Sequence, residues 1–269
     1  MEKKAMLEIK NISKVFNAGT VNEKKALNGL NLTLNEGDFV TVIGGNGAGK
    51  STMLNSVAGV FPVDSGHIFI DGKDVTKLPE YKRAKYLGRV FQDPMTGTAA
   101  TMQIDENLAL AARRGLARTL KAGITSKERE EYRELLKPLN LGLEERLTAK
   151  VGLLSGGQRQ ALTLLMATLK KPNLLLLDEH TAALDPKTAR TVLEITDKIV
   201  TENHLTTIMI THNMKDALRF GNRIIMMNEG HIIFDASGEE KAKLTVKDLL
   251  EKFEQASGGE FANDRMMLS

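Results

Sequence analysis

The sequence contains no cysteine, which excludes a disulfide framework, a thiol nucleophile and a cysteine-ligated metal, and fits a reducing compartment. It also lacks a strong charge of either sign, since 37 Lys and Arg against 34 Asp and Glu leave a formal charge of +3. Nucleic-acid binding would want basic residues gathered on one face or in one tract. Only short pairs occur here, such as Lys24-Lys25, Arg113-Arg114 and Lys170-Lys171, and they read as solvated surface; nucleic acid is not an expected partner. Long apolar runs are missing as well. Runs such as the leucines at 174–177 fall far short of the roughly 20 residues that cross a bilayer, and the opening MEKKAMLEIK lacks the apolar core of a signal peptide. No repeat at solenoid spacing and no low-complexity tract is found. If the protein works at a membrane, another chain is expected to hold it there.

What is present is the composition of a soluble globular protein, 42% hydrophobic and 26% charged over 269 residues, enough for one large domain or two small ones. The chain is organised around residues 39–59, FVTVIGGNGAGKSTMLNSVAG, which read as a buried strand, a glycine-rich turn and a helix. Gly44, Gly49, Lys50 and Ser51 fill the fixed places of G-x-x-x-x-G-K-[ST]. The turn of Gly44, Gly45, Asn46, Gly47, Ala48 and Gly49 carries few Cβ atoms, so successive backbone N–H groups can converge on a phosphate. The helix beginning near Lys50 adds its positive end. Lys50 then supplies a mobile point charge for β- and γ-phosphates, and the Ser51 hydroxyl is a hard oxygen for magnesium.

Before this stretch, residues 6–12 and 30–34 are expected as an antiparallel pair leading into the sheet. Between them Phe16 ends the apolar run SKVF as a core or edge aromatic. After it come short β-runs punctuated by two hairpin-type turn signals, Asp64-Ser65-Gly66 and Asp71-Gly72. A buried strand at 87–91 then stops at Gln92-Asp93-Pro94. From there to about residue 152 the texture is helical and densely charged, which predicts an inserted helical subdomain. The sheet resumes at 172–180, followed by a helix over 185–203, a strand ending at His212, a helix over 213–220 and two β-runs turning at Glu229-Gly230. Alternation of this kind predicts a mainly parallel α/β sheet with helices on both faces. The chain finishes with an amphipathic helix started near Thr245 and a loose tail at 257–269.

Two further constellations carry chemistry. The leucines at 174–177 followed by Asp178 and Glu179 describe a doubly buried strand that delivers two carboxylates at its carboxyl end, where open α/β sheets bind ligands. In a P-loop protein Asp178 would hold magnesium, and Glu179 would orient or deprotonate the attacking water. Leu154-Ser155-Gly156-Gly157-Gln158 precedes a helical run; Ser155 can cap that helix, and the glycines expose its first N–H groups as a second anion nest. Lys50 and Ser155 are so far apart in sequence that one subunit need not bring both nests to one phosphate.

Taken together, GGNGAGKST, LSGGQ and LLLLDE closely resemble the ATP-binding subunit of ABC transporters, and the resemblance runs from about residue 7 to residue 236. It implies a P-loop NTPase fold of ABC type with a parallel core, an antiparallel β subdomain and an inserted helical subdomain. Residues 1–238 would form the ATPase domain, with 93–160 as the helical insertion, and 239–269 the C-terminal helix and tail. The resemblance makes Phe16 the adenine-stacking ring, and places ATP on Gly44, Asn46, Gly47, Ala48, Gly49, Lys50, Ser51 and Thr52. Gln92 becomes the Q-loop glutamine, with Ser51 and Asp178 a magnesium ligand, while Glu179 is the catalytic base, Asp185 belongs to the D-loop and His212 is the switch histidine. Two copies closing head to tail would bring Ser155, Gly156, Gly157, Gln158 and Asp185 of one to the ATP of the other. One departure is His180, where the family commonly has proline; it sets a titratable ring close to the active site, as a tolerated variation or a pH-tuning group.

The resemblance further implies ATP hydrolysis powering transport through a separate membrane permease, at the cytoplasmic face of the membrane, with an extracytoplasmic solute-binding protein in the same system. Import of an amino acid or a similar small solute is the leading expectation. An exporter, a lipoprotein-release complex or a non-transport ABC ATPase are the alternatives. The permease should dock near Gln92 and the helical subdomain, where DPMTGTAATMQIDENLALA offers small residues and methionines; its second half reads equally well as a core helix.

Overall fold

The computed structural model describes residues 4–116 and 123–256, so the stretch expected as a loose tail, 257–269, lies outside the described residues. Strands β1 (Ala5–Phe16) and β2 (Lys24–Asn35) pair antiparallel through the connection 17–23. Strand β3 (Phe39–Gly44) then leads through the phosphate loop into α1 (Lys50–Ala58). Strands β4 (Ser65–Ile70) and β5 (Lys73–Asp74), a short α2 (Glu80–Arg83) and β6 (Leu87–Val90) follow. The helical stretch holds α3 (Ile104–Ala112), α4 (Ser126–Leu136) and α5 (Gly156–Thr168). After it come β7 (Leu174–Asp178), α6 (Pro186–Glu202), β8 (Thr207–Ile210) and α7 (Met214–Arg219). The chain closes with β9 (Arg223–Asn228), β10 (His231–Ser237), α8 (Gly238–Lys243) and α9 (Val246–Ala256).

The main sheet has the order β10-β9-β3-β8-β7-β6. Its five strands from β9 to β6 are parallel and β10 is an antiparallel edge. β3 and β8 are buried along their whole length, as strands covered by helices on both faces must be. The β9–β10 turn places Glu229 and Gly230 at φ 47° and 77°, and the β4–β5 turn places Asp71 and Gly72 at 51° and 71°, the two-residue geometry that matches strand twist.

Three expectations are corrected. The first two strands do not lead into the main sheet; with β4 and β5 they form the antiparallel β subdomain that the resemblance implies, a separate sheet of order β2-β1-β4-β5, because β1 has β2 on one edge and β4 on the other. Asp64-Ser65-Gly66 makes no hairpin. The Asp64 carboxylate accepts the Val15 N–H at 2.6 Å, and Ser65 opens β4. The basic pair residues are not all solvated: Arg114 donates to the Lys170 carbonyl at 3.3 Å while Lys170 donates to the Arg114 carbonyl at 2.8 Å, fastening the end of α3 to the end of α5.

The helical stretch buries a core of its own, with Leu108 of α3, Tyr132 and Leu136 of α4 and Leu162 of α5. α4 is otherwise charged, and Thr125 and Glu128 close a capping box at its start. At the other end of the chain, Leu249 and Phe253 of α9 pack with Ile43 of β3, Met214 and Ala217 of α7 and Ile224 of β9, so the last helix covers one face of the parallel sheet.

Candidate functional site

β3 leaves the sheet at Gly44, whose φ is 149°; a Cβ there would lie 2.3 Å from the Met227 carbonyl oxygen on β9. Gly49, at φ 100°, caps α1, and its Cβ would lie 2.6 Å from the Ala26 carbonyl oxygen. A side chain at either position would force the loop off the strands that hold it. α1 has no side-chain cap and no acid in its first turn, so its leading N–H groups are left for an anion.

Lys50 is 5% exposed, and its ammonium donates to the carbonyls of Gly44 at 2.7 Å and Gly45 at 3.1 Å. Burial pushes its pKa down, opposed by the charges of Glu179 and Asp178. The Ser51 hydroxyl donates to Asp178 Oδ1 at 3.3 Å, which joins the start of α1 to the end of β7. Burial raises the Asp178 pKa, and the Arg89 guanidinium is the largest influence working against it. Arg89 Nη2 stands 3.8 Å from Asp178, Nη1 lies 3.8 Å from Glu80, and the guanidinium covers the Phe91 ring at 4.5 Å.

Glu179, the residue after β7, has φ 47°, a left-handed conformation that costs an L-residue about 1–2 kcal/mol. Its Oε1 is 2.6 Å from His212 Nε2, which reaches across from the end of β8. A cavity of about 330 Å³ is lined by Phe16, by the loop and helix start from Asn46 to Thr52, and by Glu179 and His212. Asp178 lies behind Ser51, and Gly44 sits at the strand end that carries the loop.

Other predicted residues stand apart from this cavity. Gln92 is exposed just beyond β6 and does not line it, and neither do Ser155, Gly156, Gly157, Gln158 or Asp185. Ser155 accepts the Gln158 N–H at 3.3 Å as cap of α5, and the Gln158 side chain closes the box by accepting the Ser155 N–H at 3.1 Å. Asp185 caps α6 through the Thr188 N–H at 3.1 Å. A Cβ on Gly157 would lie 2.1 Å from Thr188 Cγ2, so α5 and α6 start in close contact. Within one subunit the second nest and Asp185 are thus neighbours of each other and not of the first nest.

Of the two readings of His180, the structure favours the tolerated variation. Its ring is 1% exposed and turned into the core, where Nε2 is 3.0 Å from Thr196 Oγ1 on α6. Thr196 donates its own proton to the Val192 carbonyl at 2.8 Å, so the hydroxyl accepts from the histidine. Burial lowers the His180 pKa to about 4, which keeps the ring neutral at physiological pH and removes the basis for pH tuning. Sequence reasoning missed three residues at the site: Lys24 and Ala26, which line the cavity, and Arg89 beside Asp178. Arg89 did leave a signal, a charge inside the otherwise apolar LGRV.

Comparison with known proteins places this geometry among relatives. Residues 27–182 match the family described as ABC transporter. The chain is 47% identical over 251 residues to the tyrosine transport ATP-binding protein of Clostridioides difficile, covering 93% of this chain and 100% of that one. It is 33% identical over 242 residues to a spermidine/putrescine import ATP-binding protein of Haemophilus influenzae, covering 89% of this chain but 60% of that relative. Among solved structures, a dimeric post-hydrolysis state of an ATP-binding cassette bound to ADP and Pi is similar with a TM-score of 0.73 and 30% identity, covering 86% of this chain and 98% of the other.

Proposed function

The chain belongs to the ABC transporter family and is an ABC-type ATPase with the P-loop fold of that family, and from this premise we propose how its residues divide the work. The observation that carries the proposal is the single cavity in which Phe16, the phosphate loop, Glu179 and His212 meet. Phe16 stacks on adenine, residues 44–52 take the triphosphate, and Lys50 leaves the loop carbonyls for the β- and γ-phosphates. Glu179, fixed in its left-handed turn, polarises the attacking water, and His212 contacts the γ-phosphate. Magnesium fits this site because the Ser51 hydroxyl and the Asp178 carboxylate offer two hard oxygens 3.3 Å apart; these residues, with Gln92, would hold it. When bound, the ion neutralises charge on the transferring phosphoryl group.

Ser155, Gly156, Gly157, Gln158 and Asp185 complete the site from a second copy, closing head to tail with ATP between them. Residues 1–238 act as the ATPase domain around the insertion 93–160, and 239–269 are the C-terminal helix and tail. Among the described residues no helix is long and apolar enough to cross a membrane. Membership of the ABC transporter family supports a separate permease that holds the dimer at the cytoplasmic face. Its docking surface is the groove of about 390 Å³ that Leu87, Arg89 and Phe91 share with Leu110, Ala111 and Met166. Leu110 in its lining is 57% exposed, as is Met95 elsewhere in the stretch 93–111, whereas Ile104 and Leu108 of the same stretch are core. The cargo we propose is an amino acid, tyrosine or a near analogue, imported with the help of a solute-binding protein; the 47% identity to a tyrosine transport subunit supports this.

The test uses Glu179→Gln. It should bind ATP, turn it over very slowly and accumulate as a dimer on gel filtration; rapid turnover would remove Glu179 from the role of base. Tagged Glu179→Gln pulled from its native membrane with ATP and magnesium should bring a permease and a solute-binding protein. A permease alone would shift the assignment to export, and ribosomal or DNA-associated partners would overturn transport.

A further inference from the structure

Lys24 is the first residue of β2 and pairs directly across the ladder with Phe16, the last residue of β1. Opposed residues of an antiparallel pair project on the same face of the sheet, so whatever Phe16 faces, Lys24 faces too. Ala26, two residues on, shares that face, and all three line the nucleotide cavity. Lys25 pairs with Val15 and projects from the other face.

The Lys24 ammonium is aimed at the phosphate loop: a Cβ on Gly47 would lie 3.0 Å from its Nζ. Among the described residues no carboxylate stands within ion-pair distance of it. The other lysines nearby are engaged, Lys14 with Asp64 at 2.8 Å and Lys50 with the carbonyls of Gly44 and Gly45. A cation without a counter-charge, held against a loop whose N–H groups await an anion, adds to the same positive field.

We propose that Lys24 is a further nucleotide-binding residue, which contacts the phosphate chain on the side nearest the base. Its place in the ladder sets the position, between the aromatic ring of Phe16 and the middle of the phosphate loop at Gly47. Phe16 and Lys24 thus act as one cross-strand clamp, the ring covering the base and the ammonium neutralising the first phosphates. Lys50, farther along the loop, serves the terminal ones. This inference rests on the nucleotide site proposed above.

The experiment is isothermal titration of the full chain with ATP and with ADP, without divalent cation, at low and at moderate salt. Lys24→Ala should weaken both nucleotides by the same factor, about tenfold at low salt and less at moderate salt, as one charge-assisted contact to phosphate would. Lys24→Arg should hold affinity within about twofold, and Lys25→Ala should do the same. Thermal melting without nucleotide should be unchanged in all three, because Lys24 is exposed. Unchanged affinity in Lys24→Ala, or an equal loss in Lys25→Ala, would overturn the proposal. A loss confined to ATP would overturn the assignment to the base-side phosphates. Failure of the unmodified chain to bind either nucleotide would instead overturn the site itself.

Discussion

At the scale of single residues, the two neighbours Glu179 and His180 separate chemistry from support. The left-handed turn at Glu179 sends its carboxylate to His212, and the next side chain is then thrown inward onto α6. The Thr196 hydroxyl accepts a hydrogen bond from His180 Nε2–H, so the turn that carries Glu179 is tied to the helix capped by Asp185. The depressed pKa of His180 has a defined consequence for stability. Unfolded histidine titrates near 6.5 and the folded ring at about 4, so the stabilisation is fully present above pH 6.5 and is lost as pH falls towards 4. The loss amounts to about 3 kcal/mol over that window. His180→Gln keeps a donor for Thr196 and removes the titration. Urea unfolding near pH 7 and near pH 4.5 should show wild type losing about 2–3 kcal/mol more than the variant. The pH dependence of ATP hydrolysis around neutrality should be the same in both.

At the scale of elements, the last helix is joined to the phosphate loop by an aromatic contact. Phe253 of α9 is 5% exposed, and a Cβ on Gly45 would lie 3.4 Å from the tip of its ring. The same ring belongs to the cluster that includes Ile43 at the end of β3 and Met214 at the start of α7. Phe253→Ala should therefore cost about 3–5 kcal/mol in urea unfolding, and Phe253→Leu less than half of that. A small loss for Phe253→Ala would mean that α9 is not part of the cooperative core. The motifs legible in the sequence are those whose chemistry is local: the glycine nest at 44–49, the acids that end the apolar run at 174–177, and the cap at Ser155. What escaped depends on register and on partners across the sheet. Lys24 beside Lys25 looks like solvated charge until the ladder sets it opposite Phe16. The antiparallel subdomain was implied by the motifs, but that β1 pairs with β4 was hidden because strand partners are chosen at long range. α8 was hidden because GEEKAK has no apolar period, its hold being Lys241 donating to the Gly221 carbonyl at 3.0 Å.

At the scale of the whole molecule, the two anion nests raise a problem that one chain does not solve. The cavity holding Lys50 is lined by none of the residues 155–158, of which Gly156 and Gly157 instead lie against Leu184 and Thr188 where α6 begins. The head-to-tail dimer proposed above would place each nest of one copy against the complementary nest of the other, so every composite site would draw Lys50 from one copy and Ser155 from its partner. That geometry makes a complementation prediction. Lys50→Ala alone should be inactive, since both sites of its dimer lack the lysine. Ser155→Arg alone should also be inactive, since both lack an open second nest. In an equimolar mixture half of the dimers are mixed, and each mixed dimer has one doubly damaged site and one with Lys50 and Ser155 both intact. Recovered ATP hydrolysis should approach about a quarter of the wild-type rate if the two sites fire independently. A site built within one chain would recover nothing, because every chain in the mixture carries a lesion. Titrating one variant into a fixed amount of the other should therefore raise the rate from near zero to a maximum, and a flat titration would exclude the shared site.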